Sequence, residues 1–67
     1  MTLGERLKEE REKRGLTQQD VADEIGVTKQ AIFSYEKGVR SPTVTTLCAL
    51  AQFFEVTTDY LCGIAEN

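Results

Sequence analysis

Apolar residues in this chain recur at intervals of three and four and never alternate over any length, so every patterned segment predicts helix and none predicts strand. Leu3 and Leu7 stand four apart, Arg11 continues their stripe, and Gly15 follows as a stop. A first helix is therefore expected from about Thr2 to Arg14. Thr17, with Asp20 three residues on, has the form of a short-armed capping box and opens a second helix, whose stripe is Val21, Ala22 and Ile25. Gly26 ends it, Thr28 caps a third helix, and Gly38 closes that one. "SP" at 41–42 is expected to open a fourth helix, with Pro42 tolerated in the first turn and Val44, Leu47, Leu50, Ala51 and Phe54 on its buried face. "TTDYLCG" predicts a short fifth helix, capped by Thr57 or Thr58 and stopped by Gly63. The fold class is all-α, five helices in a single small domain over residues 1–67. A chain of this length buries only about 60% of its unfolded surface, so its core is thin.

The second and third helices are separated only by Gly26 and Val27, so they must cross steeply. Ala22, four residues before Gly26, is small enough to let the third helix approach, and Gly26 suits the left-handed conformation that ends the second. Small residue, three others, glycine, then a capped helix is the sequence form of a helix-turn-helix, here at about 17–37.

Advancing about 100° per residue along the third helix puts Ala31, Ile32 and Tyr35 on one side. Lys29, Gln30, Phe33, Ser34 and Lys37 fall on the other. A solvated face accounts for the lysines and the serine but does not favour an uncovered phenyl ring. A DNA major groove accounts for all five: glutamine can bond adenine N6 and N7 together, lysine can reach guanine or phosphate, and a ring can touch thymine methyls. Gln18 and Gln19 lie in the first turn of the second helix, where free N–H groups and the positive dipole end suit an anion. Arg40 and Ser41 repeat that arrangement ahead of the fourth helix.

Composition adjusts this picture in one respect. The chain has 40% hydrophobic and 28% charged residues, ordinary for a globular domain, and a net charge of −3, which weighs against nucleic acid. The charge is uneven, however. Residues 29–42 carry Lys29, Lys37 and Arg40 against Glu36, while residues 15–28 carry Asp20, Asp23 and Glu24 with no cation. A phosphate backbone responds to the local patch. The chain has no His, and Cys48 and Cys62 form no CxxC, so no zinc site or disulfide is expected and both thiols read as apolar filler in a reducing cytoplasm. The N-terminal decapeptide has no apolar signal core, and the longest apolar run, Leu47 to Ala51, is far short of a membrane span. No nucleophile–base pair or Gly-rich phosphate loop is present, and Glu9 and Glu10 read as part of a charged helix surface. An enzyme is not expected, nor is a cofactor, metal or small-molecule ligand.

"LTQQDVADEIGVTKQAIFSYEKGVRSPTVTTLCALAQFFEVTTDYLCG" closely resembles the Cro/repressor-type (Xre-like) helix-turn-helix family of bacterial and phage transcription regulators. The resemblance rests on Gln18, Ala22, Gly26, Ile32, "YEKG" at 35–38, "SP", Leu47, Ala51, Val56 and "DYLCG", in order and with their spacings. It implies a compact, lambda-repressor-like five-helix domain that sets its third helix in the major groove, as a symmetric dimer. Similar proteins commonly carry an apolar residue where this chain has Glu10, and Phe53 and Phe54 are expected to fill that space. Carried onto this sequence, Lys29, Gln30, Phe33 and Ser34 would read bases. Gln18, Gln19, Thr28, Lys37, Arg40 and Ser41 would contact phosphates, which fix register without reading sequence. Related domains also pair an arginine with the glutamate of the "YExG" element, here Arg11 with Glu36.

The expected function is thus a cytoplasmic, sequence-specific regulator, in the first instance a repressor, binding double-stranded DNA at an inverted repeat as a homodimer. With no further segment after Asn67, the dimer contact would come from Phe53, Val56, Tyr60 and Ile64; for Phe53 and Val56 a place in the core is an equal expectation. The rival is a protein-interaction module, antitoxin-like or an adaptor, on the same fold.

Overall fold

The computed structural model describes residues 1–64. They form five helices: α1 Leu3–Lys13, α2 Gln18–Ile25, α3 Lys29–Lys37, α4 Val44–Phe54 and α5 Thr58–Leu61. Each begins at a threonine cap: Thr2, Thr17, Thr28, Thr43 and Thr57 accept from a backbone N–H three residues on. The first two are full capping boxes, closed by Glu5 and Asp20, whose pKa values are lowered by the hydrogen bonds they accept from Thr2 and Thr17.

Leu7, Val21, Ala22, Ala31, Ile32, Tyr35, Leu50, Ala51, Phe54 and Leu61 are buried together, so all five helices contribute to one core. α1 and α3 approach unusually closely. A Cβ on Gly4 would stand 2.5 Å from the carbonyl oxygens of both Tyr35 and Glu36, so only glycine fits there. Gly26 takes up φ 83, and its N–H and that of Val27 both donate to the Ala22 carbonyl, at 2.9 and 3.0 Å. That turn swings the chain directly into Thr28 and α3. α4 ends without a glycine: Glu55 sits at φ 58 in the left-handed region while Val56 N–H donates to the Ala51 carbonyl at 2.9 Å.

Four expectations are corrected. α4 opens at Thr43 and not at Ser41-Pro42, because Thr43 Oγ1 takes the Thr46 N–H and leaves Pro42 one residue outside the cap. Val44 is 78% exposed, since it occupies the first helical position and the buried stripe begins only at Leu47. Cys48 and Cys62 are both exposed and fill no apolar space. Glu10 is buried, at 1% exposure. It accepts from Arg14 Nη1 at 2.6 Å, Tyr60 Oη at 2.8 Å and Lys13 Nζ at 3.0 Å. Burial alone would push its pKa up; the hydrogen bonds from Arg14, Lys13 and Tyr60 outweigh that and hold it at about 2. Arg14 also donates to the Phe54 carbonyl at the end of α4 and lies 5.0 Å from the Phe54 ring centroid. The space beside α1 is therefore filled by ionic contacts together with the Phe54 ring, whereas Phe53 lies on the α2 side beside Leu16 and Asp20.

Candidate nucleic-acid interface

α3 turns Ala31, Ile32 and Tyr35 into the core and leaves Lys29, Gln30, Phe33 and Lys37 exposed. Buried residues at spacings of one, three and four anchor the helix along one stripe, so the opposite face is committed to nothing inside the domain. Phe33 is 41% exposed, and the Lys37 ammonium stands 5.7 Å from its ring centroid. That pairing keeps a cation and an apolar edge together on the outer face. Ser34 is half-buried, and its carbonyl accepts from the Val39 and Arg40 N–H groups at 3.0 and 3.3 Å, tying the following loop back to α3.

The flanking positions are arranged less evenly. The Thr28 hydroxyl oxygen accepts the Ala31 N–H at 3.1 Å, so it acts first as the α3 cap. Gln19 Nε2 runs along α2 to Asp23 Oδ1 at 2.8 Å. Gln18 Nε2 instead reaches Glu36 Oε1 on α3 at 3.0 Å. Arg40 and Ser41 are exposed beyond the end of α3, with the Arg40 guanidinium 5.7 Å from the Tyr35 ring. Arg11 meets Glu36 through Nε at 2.7 Å and Nη2 at 3.1 Å, with both side chains largely buried. The hydrogen bonds that Arg11 donates to Glu36 outweigh burial and raise the Arg11 pKa further.

An open groove of about 400 Å³ lies between α1 and α3 and is lined by Glu5, Lys8, Arg11, Gln18, Phe33, Glu36 and Lys37. Lys8 was not singled out from the sequence. Its place three residues before Arg11, on the same side of α1, was the available signal. Away from this face, Phe53, Val56 and Tyr60 are half-buried and packed on the core, and Ile64 is 78% exposed. Among the described residues no cluster of His, Cys, Asp and Glu could hold a metal ion, and no helix is long and apolar enough to cross a membrane.

A family described as helix-turn-helix matches residues 7–61. The chain is 41% identical over 66 residues to the HTH-type transcriptional regulator ImmR of Bacillus subtilis, covering 98% of this chain and 52% of ImmR. It is 38% identical over 63 residues to the cryptic phage CTXphi transcriptional repressor RstR of Vibrio cholerae, covering 94% of this chain and 56% of RstR. The chain thus spans about half the length of these curated relatives. In three dimensions it is similar to the P22 c2 repressor protein crystallised with a synthetic operator, with a TM-score of 0.92 at 28% identity over 97% of this chain and 98% of that one.

Proposed function

The chain belongs to the helix-turn-helix family, and from that membership we propose that residues 1–67 are one DNA-binding domain of a sequence-specific transcription regulator acting in the cytoplasm. The observation that carries this is the division of α3 into a buried stripe and an outer face of Lys29, Gln30, Phe33 and Lys37. This face fits the major groove, where bidentate amide and ammonium contacts read purines and an apolar edge meets a thymine methyl. Ser34 stands beside it, and Gln18, Lys37, Arg40 and Ser41 flank it where phosphates would run. The two relatives named as repressors favour repression as the direction of control. Binding as a homodimer on an inverted repeat, with half-sites about 34 Å apart, fits a compact single-headed domain. Val56, Tyr60, Phe53 and Ile64 supply the apolar surface nearest the C-terminal end.

Titrating salt against duplex binding tests this proposal. With Lys37 and Arg40 of both protomers neutralising phosphates, log K should fall with a slope of about −4 against log salt. Selection from a random duplex pool should return a two-fold symmetric site. Absence of duplex binding at low salt would transfer the outer α3 face to a protein partner, for which the exposed Phe33 and net charge of −3 are suited.

A further inference from the structure

Gln18 does not hang free at the start of α2. Its Nε2 donates to Glu36 Oε1 at 3.0 Å, and the same carboxylate accepts Arg11 Nε and Nη2. Arg11 Nη1 donates to the Leu16 carbonyl at 2.8 Å, which pins the corner between α1 and α2 immediately ahead of Gln18. An ionised carboxylate can only accept, so the amide is left no alternative flip. Nε2 faces Glu36, Oε1 turns away, and one amide N–H remains unspent. The Glu36 side chain is only 5% exposed and its charge is matched by the Arg11 fork, so it can orient the amide without presenting bare negative charge to a duplex.

A surface glutamine ordinarily samples several rotamers and loses that freedom when a ligand holds it. Here the freedom is lost on folding. We infer that Glu36, held by Arg11, is a positioning residue for DNA binding: it presets Gln18 so that the second amide N–H and the first-turn backbone N–H groups of α2 meet one phosphate together. This rests on the proposed contact of Gln18 with the DNA backbone. It also makes the flank of the reading surface rigidly continuous with α3, since Glu36 is part of α3 itself.

A double-mutant cycle on duplex affinity, run in the cold with the folded fraction checked by circular dichroism, tests the inference. Glu36→Gln should weaken binding by folded protein roughly tenfold in the wild-type background, the effect of one lost positioned contact, and less than about twofold in a Gln18→Ala background. Equal losses in both backgrounds would mean that Glu36 acts only on the fold and would overturn the inference. Should Glu36→Gln fail to fold, the wild-type protein decides by itself. The Gln18 side-chain amide should be as ordered as the backbone in the free protein, with one proton shifted by Glu36, and only the other should shift strongly when operator is added. Relaxation showing the Gln18 side-chain amide as mobile as an unrestrained surface glutamine in the free protein would overturn it. Intact affinity in Gln18→Ala would remove the phosphate contact and this inference while leaving the DNA reading in place, whereas no binding to any duplex would remove both.

Discussion

Tyr60 on α5 donates its hydroxyl to the buried carboxylate of Glu10 on α1 at 2.8 Å, joining residues fifty positions apart. The Tyr60 ring in turn lies under the Arg6 guanidinium at 4.2 Å, so α5, only four residues long, is held to α1 by polar contacts on two sides. Glu10 gathers Arg14, Lys13 and Tyr60 around one carboxylate, and their combined effect outweighs the cost of burying it.

Acid stability follows from this contact. The folded Glu10 pKa is depressed to about 2 from an ordinary 4.5, so its contribution is complete above about pH 4.5 and is lost as pH falls toward 2. The shift corresponds to about 2–3 kcal/mol once screening at the exposed Lys13 is allowed for. Urea unfolding of wild type should therefore weaken steeply between pH 4.5 and 2. Glu10→Gln should be less stable at pH 7 and flatter across that window. Tyr60→Phe removes a donor, which should raise the Glu10 pKa and move the acid midpoint upward. Identical pH slopes for wild type and Glu10→Gln would refute the assignment.

Gly4 supports a second expectation. An added methyl would meet two α3 carbonyl oxygens at 2.5 Å, and backbone cannot swing aside as a side chain can. Gly4→Ala normally favours a helix by up to about 1 kcal/mol. Here overpacking, typically about 1–3 kcal/mol, should reverse the sign and lower the melting temperature. A rise in melting temperature would show that α1 and α3 can separate at little cost.

The Arg11–Glu36 pair is largely buried and doubly hydrogen-bonded, so removing one partner strands the other. Arg11→Met should cost about 3–5 kcal/mol, most of a domain this small, whereas an exposed pair would cost under about 1. Replacing both with Met and Leu should recover much of the loss, since the cost lies in the orphaned charge. Thermal unfolding of the three variants separates these outcomes; a single variant that melts with wild type would show that the pair contributes little.

Glu55 is the one described non-glycine residue at positive φ, at the end of α4. A left-handed conformation costs a side chain with a Cβ about 1 kcal/mol. Glu55→Gly or Glu55→Asn should therefore raise stability by about 0.5–1 kcal/mol, after the larger unfolded-state entropy of glycine is counted. Unfolding midpoints unchanged or lowered in both variants would show that Glu55 makes a compensating contact.

Local chemistry was legible in the sequence where it depends on neighbours. Threonine caps, Gly26 and Gly38 mark their boundaries because each acts within four residues, and the stripe of Ala31, Ile32 and Tyr35 follows from helical spacing alone. The α4 start was misplaced because two adjacent signals competed: proline tolerates a first turn, but a threonine hydroxyl supplies the missing acceptor. Glu10 was unreadable for a different reason. Its burial depends on Tyr60 and Arg14 arriving together, and no local pattern distinguishes it from Glu9. Gly4 likewise looks like an ordinary weak point in a helix until the α3 backbone is set beside it. The Gln18–Glu36 bond spans two helices and belongs to the same class.

The outer residues of α3 should separate by the kind of loss each substitution causes. Gln30 is exposed with no partner in the chain among the described residues, so Gln30→Ala leaves the fold untouched. It should weaken the selected site by about 1–3 kcal/mol and relax preference at one or two positions. Phe33→Ala should abolish discrimination between thymine and uracil, because an apolar ring can sense only the methyl group that distinguishes them. Lys37 lies against that ring, so Phe33→Ala should also loosen the lysine and reduce affinity for the selected site beyond the methyl effect. Arg40→Ala should behave differently: it should weaken all sequences alike and flatten the salt slope by about one unit per protomer, about two for a homodimer. Binding measured on selected, uracil-substituted and scrambled duplexes at two salt concentrations distinguishes the three patterns. If Gln30→Ala and Phe33→Ala leave affinity and preference unchanged in normally folded protein, the outer face does not read bases, and a search for a protein that covers it becomes the next experiment.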